Sequence, residues 1–472
     1  MKKTYFLQSF LIVLLATVLF LGLKEILPKR IFSEISNANP NIVVDNLMLE
    51  ALAKEEKTVN GAADIPVATA SDSISNASFR ANNHKGLVAF FEKLDALEKT
   101  GEGEIRIAYF GDSMTDGDYI VQDLRKLFQN EFGGKGVGFV SITSESATSR
   151  GSIRHNFSKN WHTQSYVNVK KPLKPFGING QVSFVKDSLR PTWVEYKASG
   201  YRNATELYDP VLYYGSSNNK NAYVELFYNG DTLKVTKPLS TDRRLNKLKL
   251  SDRNLKSIKI NFVNADSIAF YGINSADNRG VHIDNFSSRG NSGLPLSLFN
   301  TSLMQNFDKE LSYDLIILHY GTNVLNYGNL NYNWYERAMT RVINQLKNYF
   351  QNSNFVVIST ADKATKYGTE MKTDSAVVPL ARAQYNYAKA TESGFINLYE
   401  LMGGEGSMVK WADEEPSLAN KDYTHFNTRG SQKVAQFIYD ELKSEYELFK
   451  KDKKQSQPKA TTKDTEQDYE EH

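Results

Sequence analysis

From about Gln164 to Asn278 the chain carries no helical period, whereas the residues on both sides of that stretch do. This interruption constrains the fold more than any other feature. On the near side, Leu87, Phe90, Phe91, Leu94 and Leu97 recur at helical spacing and predict a helix over 87–99. A strand over Ile105–Phe110, a tight Gly-Asp-Ser turn and a helix marked by Val121, Leu124, Leu127 and Phe128 follow. On the far side the pattern predicts a strand over Asp314–Tyr320 and a helix over Trp334–Phe350. A strand over Phe355–Thr360, a helix over Leu380–Glu392, a short strand over Phe395–Leu401 and a last helix over Gly430–Phe449 complete it. Buried strands alternating with helices predict an α/β fold, a parallel sheet covered by helices on both faces.

Within the interruption, Val224, Leu226 and Tyr228 alternate with Tyr223, Glu225 and Phe227. Ile258, Ile260 and Phe262 alternate with Lys259 and Asn261, and Asn229-Gly230 is a hairpin signal. The expectation is a β-sandwich of about 100–120 residues set inside one α/β domain, at a surface loop where insertion is tolerated.

A chain of 472 residues has room for this and more. Lys2 and Lys3 precede an uncharged, mostly apolar run from Tyr5 to Leu23, and Lys24, Lys29 and Arg30 follow it. Such a run is long enough to cross about 30 Å of hydrocarbon as a helix. It predicts an uncleaved N-terminal membrane anchor rather than a signal peptide, with the bulk of the chain outside the cytoplasm in a periplasm-like space. The expected organisation is an anchor over 1–30, a tether over 31–85, and the α/β domain in two parts over 86–163 and 281–449. The inserted sandwich spans 164–280, and a disordered tail spans 450–472.

Composition closes several alternatives. The formal charge of +3 gives no electrostatic case for nucleic acid. Without cysteine there is no thiol catalysis, disulfide or Cys-type zinc site, and the seven His include no His-x-x-x-His pair. No cofactor and no metal are expected.

Three segments carry the chemistry. Ser113 closes Ile107–Ser113 at a strand end, where backbone N–H groups of the following turn converge. Asp422 and His425 lie three residues apart before the last helix, a spacing that lets the carboxylate orient the ring while its far nitrogen faces Ser113. Asn323 closes Gly321-Thr322-Asn323 directly after a buried strand, where its amide would donate to an oxyanion. A second donor could come from Arg289-Gly290-Asn291-Ser292-Gly293. Each segment alone also reads as a helix cap or a plain turn. Their order along the chain makes the catalytic reading specific.

These blocks resemble the SGNH, or GDSL-type, hydrolases. Ile107–Asp118 is similar to the first block, with Ser113 as the family's Ser; Asp422 and His425 are similar to the last. Gly321-Thr322-Asn323 is similar to the Asn block, although Val324 replaces the common acidic residue. The resemblance implies a Ser113–His425–Asp422 triad and an oxyanion hole from Ser113, Asn323 and a Gly, with Gly293 preferred and Gly290 the alternative. A narrower resemblance is to peptidoglycan O-acetylesterases of the Ape type, which carry a carbohydrate-binding-module-like sandwich between the first two blocks. The shared features are the Gly133–Phe139 segment and the Gly-Asp-Ser-x-x-x-Gly-Asp run. It implies a serine esterase acting on an O-acetylated polysaccharide, peptidoglycan foremost. A polysaccharide O-acetyltransferase and a non-catalytic glycan-binding protein stand as alternatives. For the last, Trp193, Tyr201, Tyr208, Tyr213 and Tyr214 would form a stacking platform, though core packing is the simpler expectation for them.

Overall fold

The computed structural model describes residues 10, 14–15, 47–52 and 85–456, apart from 188, 202 and 326–329. Nearly all of the expected anchor, most of the tether and the tail from 457 lie outside the described residues. Among the described residues no helix is long and apolar enough to cross a membrane. The architecture below belongs to one compact unit within Asn41–His472.

Helix α1 (Val88–Thr100) ends where Gly101 takes a left-handed φ of 68° and returns its N–H to Leu97. Strand β1 (Glu104–Gly111) and helix α2 (Val121–Phe132) follow. The chain then leaves the α/β domain for eleven strands: β2 (Gly136–Ser141), β3 (Ile153–Phe157), β4 (Trp161–Ser165), β5 (Gln181–Val185), β6 (Thr192–Ala198), β7 (Val211–Gly215), β8 (Tyr223–Tyr228), β9 (Lys234–Pro238), β10 (Leu245–Lys249), β11 (Ser257–Val263) and β12 (Phe270–Ala276). It returns with β13 (Gly280–Asn285), α3 (Thr301–Leu311), β14 (Leu315–His319), α4 (Asn333–Tyr349) and β15 (Asn354–Ile358). A small hairpin of β16 (Ala364–Tyr367) and β17 (Glu370–Thr373) precedes α5 (Val377–Ala390) and β18 (Gly394–Ile396). The short helices α6 (Leu398–Met402) and α7 (Ser407–Asp413) lead into α8 (Thr428–Ser456).

Strands β13, β1, β14, β15 and β18 form one parallel sheet in that order. Their continuous apolar runs are explained by burial on two faces. Ala108, Phe110, Ile316, Leu318, Phe355 and Val357 share a core with α3, α4 and α5. The alternate residues Ile107, Tyr109, Leu315, Ile317, Val356 and Ile358 share the opposite core with α1, α2 and α8. Period-2 alternation thus assigns each side chain to one of two helical layers.

The inserted strands form two antiparallel sheets. One runs β10-β7-β12-β5-β4 with β2 beside β12, and the other runs β3-β6-β11-β8-β9. Between them lies a core that includes Val140, Leu212, Phe270, Val194, Leu226 and Ile260. The outer face of the first sheet, through Phe139, Tyr213 and Tyr271, packs with Phe286 and Phe307 of the α/β domain.

Four expectations need correction. The sandwich begins at Gly136, not 164, because Gly134, Gly136 and Gly138 take positive φ and run against β12 and β13. A Cβ on Gly136 would lie 2.2 Å from the Ser275 carbonyl oxygen, so only glycine permits the approach. The segment Phe395–Leu401 divides into β18 and α6, with the Asn397 side chain capping the helix by accepting from Glu400 N–H. Helix α8 continues through 450–456 to Ser456, where Lys450 and Lys453 pair with Glu98 and Asp95 of α1. Within the expected tether, residues 47–52 are helical, and Met48 is fully buried in the core shared with α3–α5.

Candidate active site

Strand β1 delivers Ser113 two residues beyond its last paired residue, Gly111, which lies opposite His319 at the end of β14. Asn323 follows that end of β14, so both blocks open at the carboxyl edge of the sheet, where ligands of such sheets bind. Ser113 Oγ lies 3.0 Å from His425 Nε2, and His425 Nδ1 lies 2.8 Å from Asp422 Oδ2. The other carboxylate oxygen, Oδ1, accepts from the backbone N–H groups of Thr424 (3.0 Å) and His425 (2.9 Å). With Nδ1 protonated toward Asp422, Nε2 is left to accept from the serine hydroxyl.

Capping does not compete with this arrangement. The N–H groups of Arg429 and Gly430 at the start of α8 donate to Asn427 Oδ1, not to Asp422. In the turn after β1 it is Asp112 that accepts from Met114 N–H (2.9 Å), leaving Ser113 Oγ for the histidine.

The two neighbouring carboxylates are driven in opposite directions. Burial pushes Asp112 up to about 6, against hydrogen bonds from Met114 and from the Thr322 N–H and hydroxyl. For Asp422 burial acts upward too, but the His425 ring and the two backbone N–H groups outweigh it and hold the carboxyl below its ordinary value. Asp422 is therefore charged wherever an imidazolium would need it. The other described histidines divide differently. Burial lowers His155 to about 4 and His282 and His319 to about 3, so these three stay neutral inside the fold. His162 lies on β4 of the sandwich, paired opposite Phe184.

The Arg289–Gly293 segment joins the Asn323 segment. Asn323, 1% exposed, gives one of its amide hydrogens to the Asn291 carbonyl (3.2 Å). Gly293 does not fill the expected oxyanion role. Its N–H is engaged by Asn291 Oδ1 (2.9 Å), and a Cβ there would meet Tyr320 and Met339, which are core residues. The N–H groups of Ser113 and Gly290, by contrast, make no hydrogen bond among the described residues.

A pocket of about 430 Å³ opens on the triad, walled by Ser113, Met114, Asp116, Tyr119, Arg289 and His425 among others. The Arg289 Nε donates to Asp116 Oδ2 at 2.9 Å. Nothing in the sequence around Arg289 and Asp116 marks a task for them; only their convergence in this wall singles them out. Among the described residues no cluster of His, Asp and Glu could hold a metal ion. The proposed aromatic platform is dispersed: Tyr213 and Tyr214 are buried in different cores, and the Tyr201 hydroxyl donates to Asp123.

Asp118 holds this edge together. It binds the Arg125 guanidinium of α2 with both oxygens (2.9 and 3.0 Å) and accepts from Arg150, Ser152 and Asn285. Burial acts to raise its pKa, but Arg125 and Arg150 hold the carboxyl far below the ordinary range. Removing it strands the buried Arg125 guanidinium and takes a partner from the partly buried Arg150, so Asp118→Ala is expected to cost about 3–5 kcal/mol of stability. Denaturant unfolding checks this; a loss below about 1 kcal/mol would show that solvent reaches the cluster.

No protein-family profile matches the chain, and no curated protein matches it by sequence. Solved structures do. A peptidoglycan O-acetylesterase is similar at 20% identity and a TM-score of 0.61, over 78% of this chain and 98% of that one. A family two carbohydrate esterase from Cellvibrio japonicus matches at 8% identity over 63% and 98% of the two chains, with a TM-score of 0.26. The acetylxylan esterase Axe2 from Geobacillus stearothermophilus matches at 15% over 35% and 73%, with a TM-score of 0.27. Only the first is close enough in shape to bear on the architecture, and with it the chain has an SGNH-like α/β fold.

Proposed function

We propose that this protein is a serine esterase that removes O-acetyl groups from a cell-envelope glycan, with peptidoglycan the first candidate. The observation that carries the reading is the hydrogen-bonded chain Ser113–His425–Asp422 at the carboxyl edge of the sheet. A peptidoglycan O-acetylesterase shares the fold, which is why that substrate is put first. Ser113 Oγ attacks the acetyl carbonyl carbon as its proton passes to His425 Nε2. The oxyanion is held by the N–H groups of Ser113 and Gly290 and by the second amide hydrogen of Asn323. Collapse expels the sugar oxygen, which takes the proton from His425, and water, deprotonated by the same ring, frees acetate.

The His425 and Asp422 side chains are 21% and 27% exposed, so water reaches the triad. This supports hydrolysis over acetyl transfer to a second sugar. The N-terminal apolar run supports a membrane-tethered, extracytoplasmic location. The test is acetate release from O-acetylated peptidoglycan measured beside acetylated xylan; release from neither removes the glycan reading. Asn323→Ala is expected to lower kcat by about 10²–10³-fold with little change in KM, as loss of one oxyanion donor does. A raised KM at constant kcat would instead make Asn323 a ground-state contact.

A further inference from the structure

A second cavity lies beside the triad pocket, between the α/β domain and the first sheet of the sandwich. It measures about 230 Å³ and takes its walls from both, among them Ser141, Gln181 and Asn168 on the sandwich side and Ser287 and Ser288 on the other. Asp116 and Arg289 belong to both cavities, so the two are separated by one ion pair. Ser146 Oγ donates to Asp116 Oδ1 (2.8 Å) from the side of this cleft, opposite the oxygen that Arg289 holds.

Three of its wall residues have buried polar atoms that are unused. Asn179 Oδ1, Gln181 Oε1 and Ser288 Oγ have no hydrogen-bond partner among the described residues. Asn179 is 4% exposed, and its amide nitrogen is fixed by Ser141 Oγ (2.9 Å) and the Tyr271 carbonyl (3.0 Å), so its free oxygen is held in one orientation. Buried polar groups in folded proteins are nearly always satisfied, and an unsatisfied set lining a cavity is a mark of a ligand. The buried Asp118 is already paired with Arg125 and Arg150, and the partly buried Asp116 with Arg289. Glu145, exposed, is the one further carboxylate of the wall, and the rest of the lining is mainly amides and hydroxyls, which fits the hydroxyls of a sugar. The volume lies below the range for drug-sized ligands and suits a single ring.

We propose that this cleft is a carbohydrate subsite that holds the sugar unit next to the one whose acetyl group enters the triad pocket. The inference rests on the esterase reading above. It makes the sandwich part of the substrate path: strands β2, β4 and β5 supply one wall of the subsite, and the Asp116–Arg289 pair forms the sill between neighbouring sugars. Binding energy from such a remote unit is realised only with an oligomer.

The test compares 4-nitrophenyl acetate, which cannot reach the cleft, with acetylated xylotetraose and with four-sugar fragments of O-acetylated peptidoglycan. Asn168 is exposed at the cleft, so Asn168→Trp fills it without disturbing the core. Gln181→Ala removes one acceptor. Expected are a loss of kcat/KM on the better tetrasaccharide of more than about 20-fold for Asn168→Trp. The loss for Gln181→Ala is about 3–10-fold. Hydrolysis of the small ester stays within about twofold for both. Unchanged tetrasaccharide hydrolysis in both variants, or an equal fall on all substrates, overturns the subsite. Wild-type protein that cleaves the small ester but neither tetrasaccharide overturns the glycan esterase reading itself, and the two failures are told apart by the wild type alone.

Discussion

Ser113→Ala protein is expected to lose ester hydrolysis by about 10⁶-fold in kcat while folding normally. Among the described residues the one hydrogen bond of the Ser113 side chain runs to His425, which is itself partly exposed, so its removal leaves no buried polar group unsatisfied. Thermal stability should therefore stay within about 0.5 kcal/mol of wild type. Residual rate above the uncatalysed reaction would come from the oxyanion donors, and losing His425 as well should add little, because the triad acts as a unit. The measurement is kcat on 4-nitrophenyl acetate together with a burst experiment, in which wild type shows acyl-enzyme and the variant none. Variant activity within about tenfold of wild type would exclude Ser113 as nucleophile.

Asp422→Asn should lower kcat by about 10⁴-fold with the loop intact. An Asn can keep the acceptor that the Thr424 and His425 N–H groups use, so the turn is preserved. It places an amide donor where Oδ2 met the ring, so Nδ1 must accept and Nε2 carries the proton toward Ser113. The base then has no site for the serine proton. The sign of the wild-type pH dependence follows from the lowered pKa of Asp422. A carboxyl held below its ordinary value contributes fully above about pH 4 and loses that contribution as the pH falls through its folded value. Any acid limb above pH 4 in the rate profile thus belongs to another group. A fall of less than about tenfold in Asp422→Asn would reduce Asp422 to a residue that shapes the loop.

Where pattern and chemistry coincide, the sequence was legible. The apolar runs of β14 and β15 report burial that is nearly complete along each strand, and the spacing of α4 and α8 reports one buried helix face, so the elements are found within a few residues. Ser113, Asp422 and His425 stood out as candidates because each sits near a strand or helix boundary, and the fold brings the three into one hydrogen-bonded chain. The misses share a different cause. The start of the sandwich at Gly136 depends on backbone passing within contact of β12 and β13, and a run of glycines permits that approach without naming its partner. Helix α8 extends beyond Phe449 because its lysines find Glu98 and Asp95 on α1, residues more than three hundred positions away. Polarity in that segment reads as a solvated tail until the partner is known.

Gly293 and Gly290 separate the two kinds of knowledge most clearly. Three positions apart in one glycine-bearing turn, they are equivalent as sequence, since both supply an N–H and positive φ. Only the fold directs one N–H to Asn291 and leaves the other without a hydrogen bond among the described residues. By itself the sequence determined the fold class, the interrupted domain and the candidate residues Ser113, Asp422 and His425, because periodicity and residue chemistry are local and survive without coordinates. The tertiary structure alone decided which glycine is free, which residues wall the two cavities and where the sandwich meets the α/β domain. Those are contacts between distant segments, set by packing that no local pattern encodes.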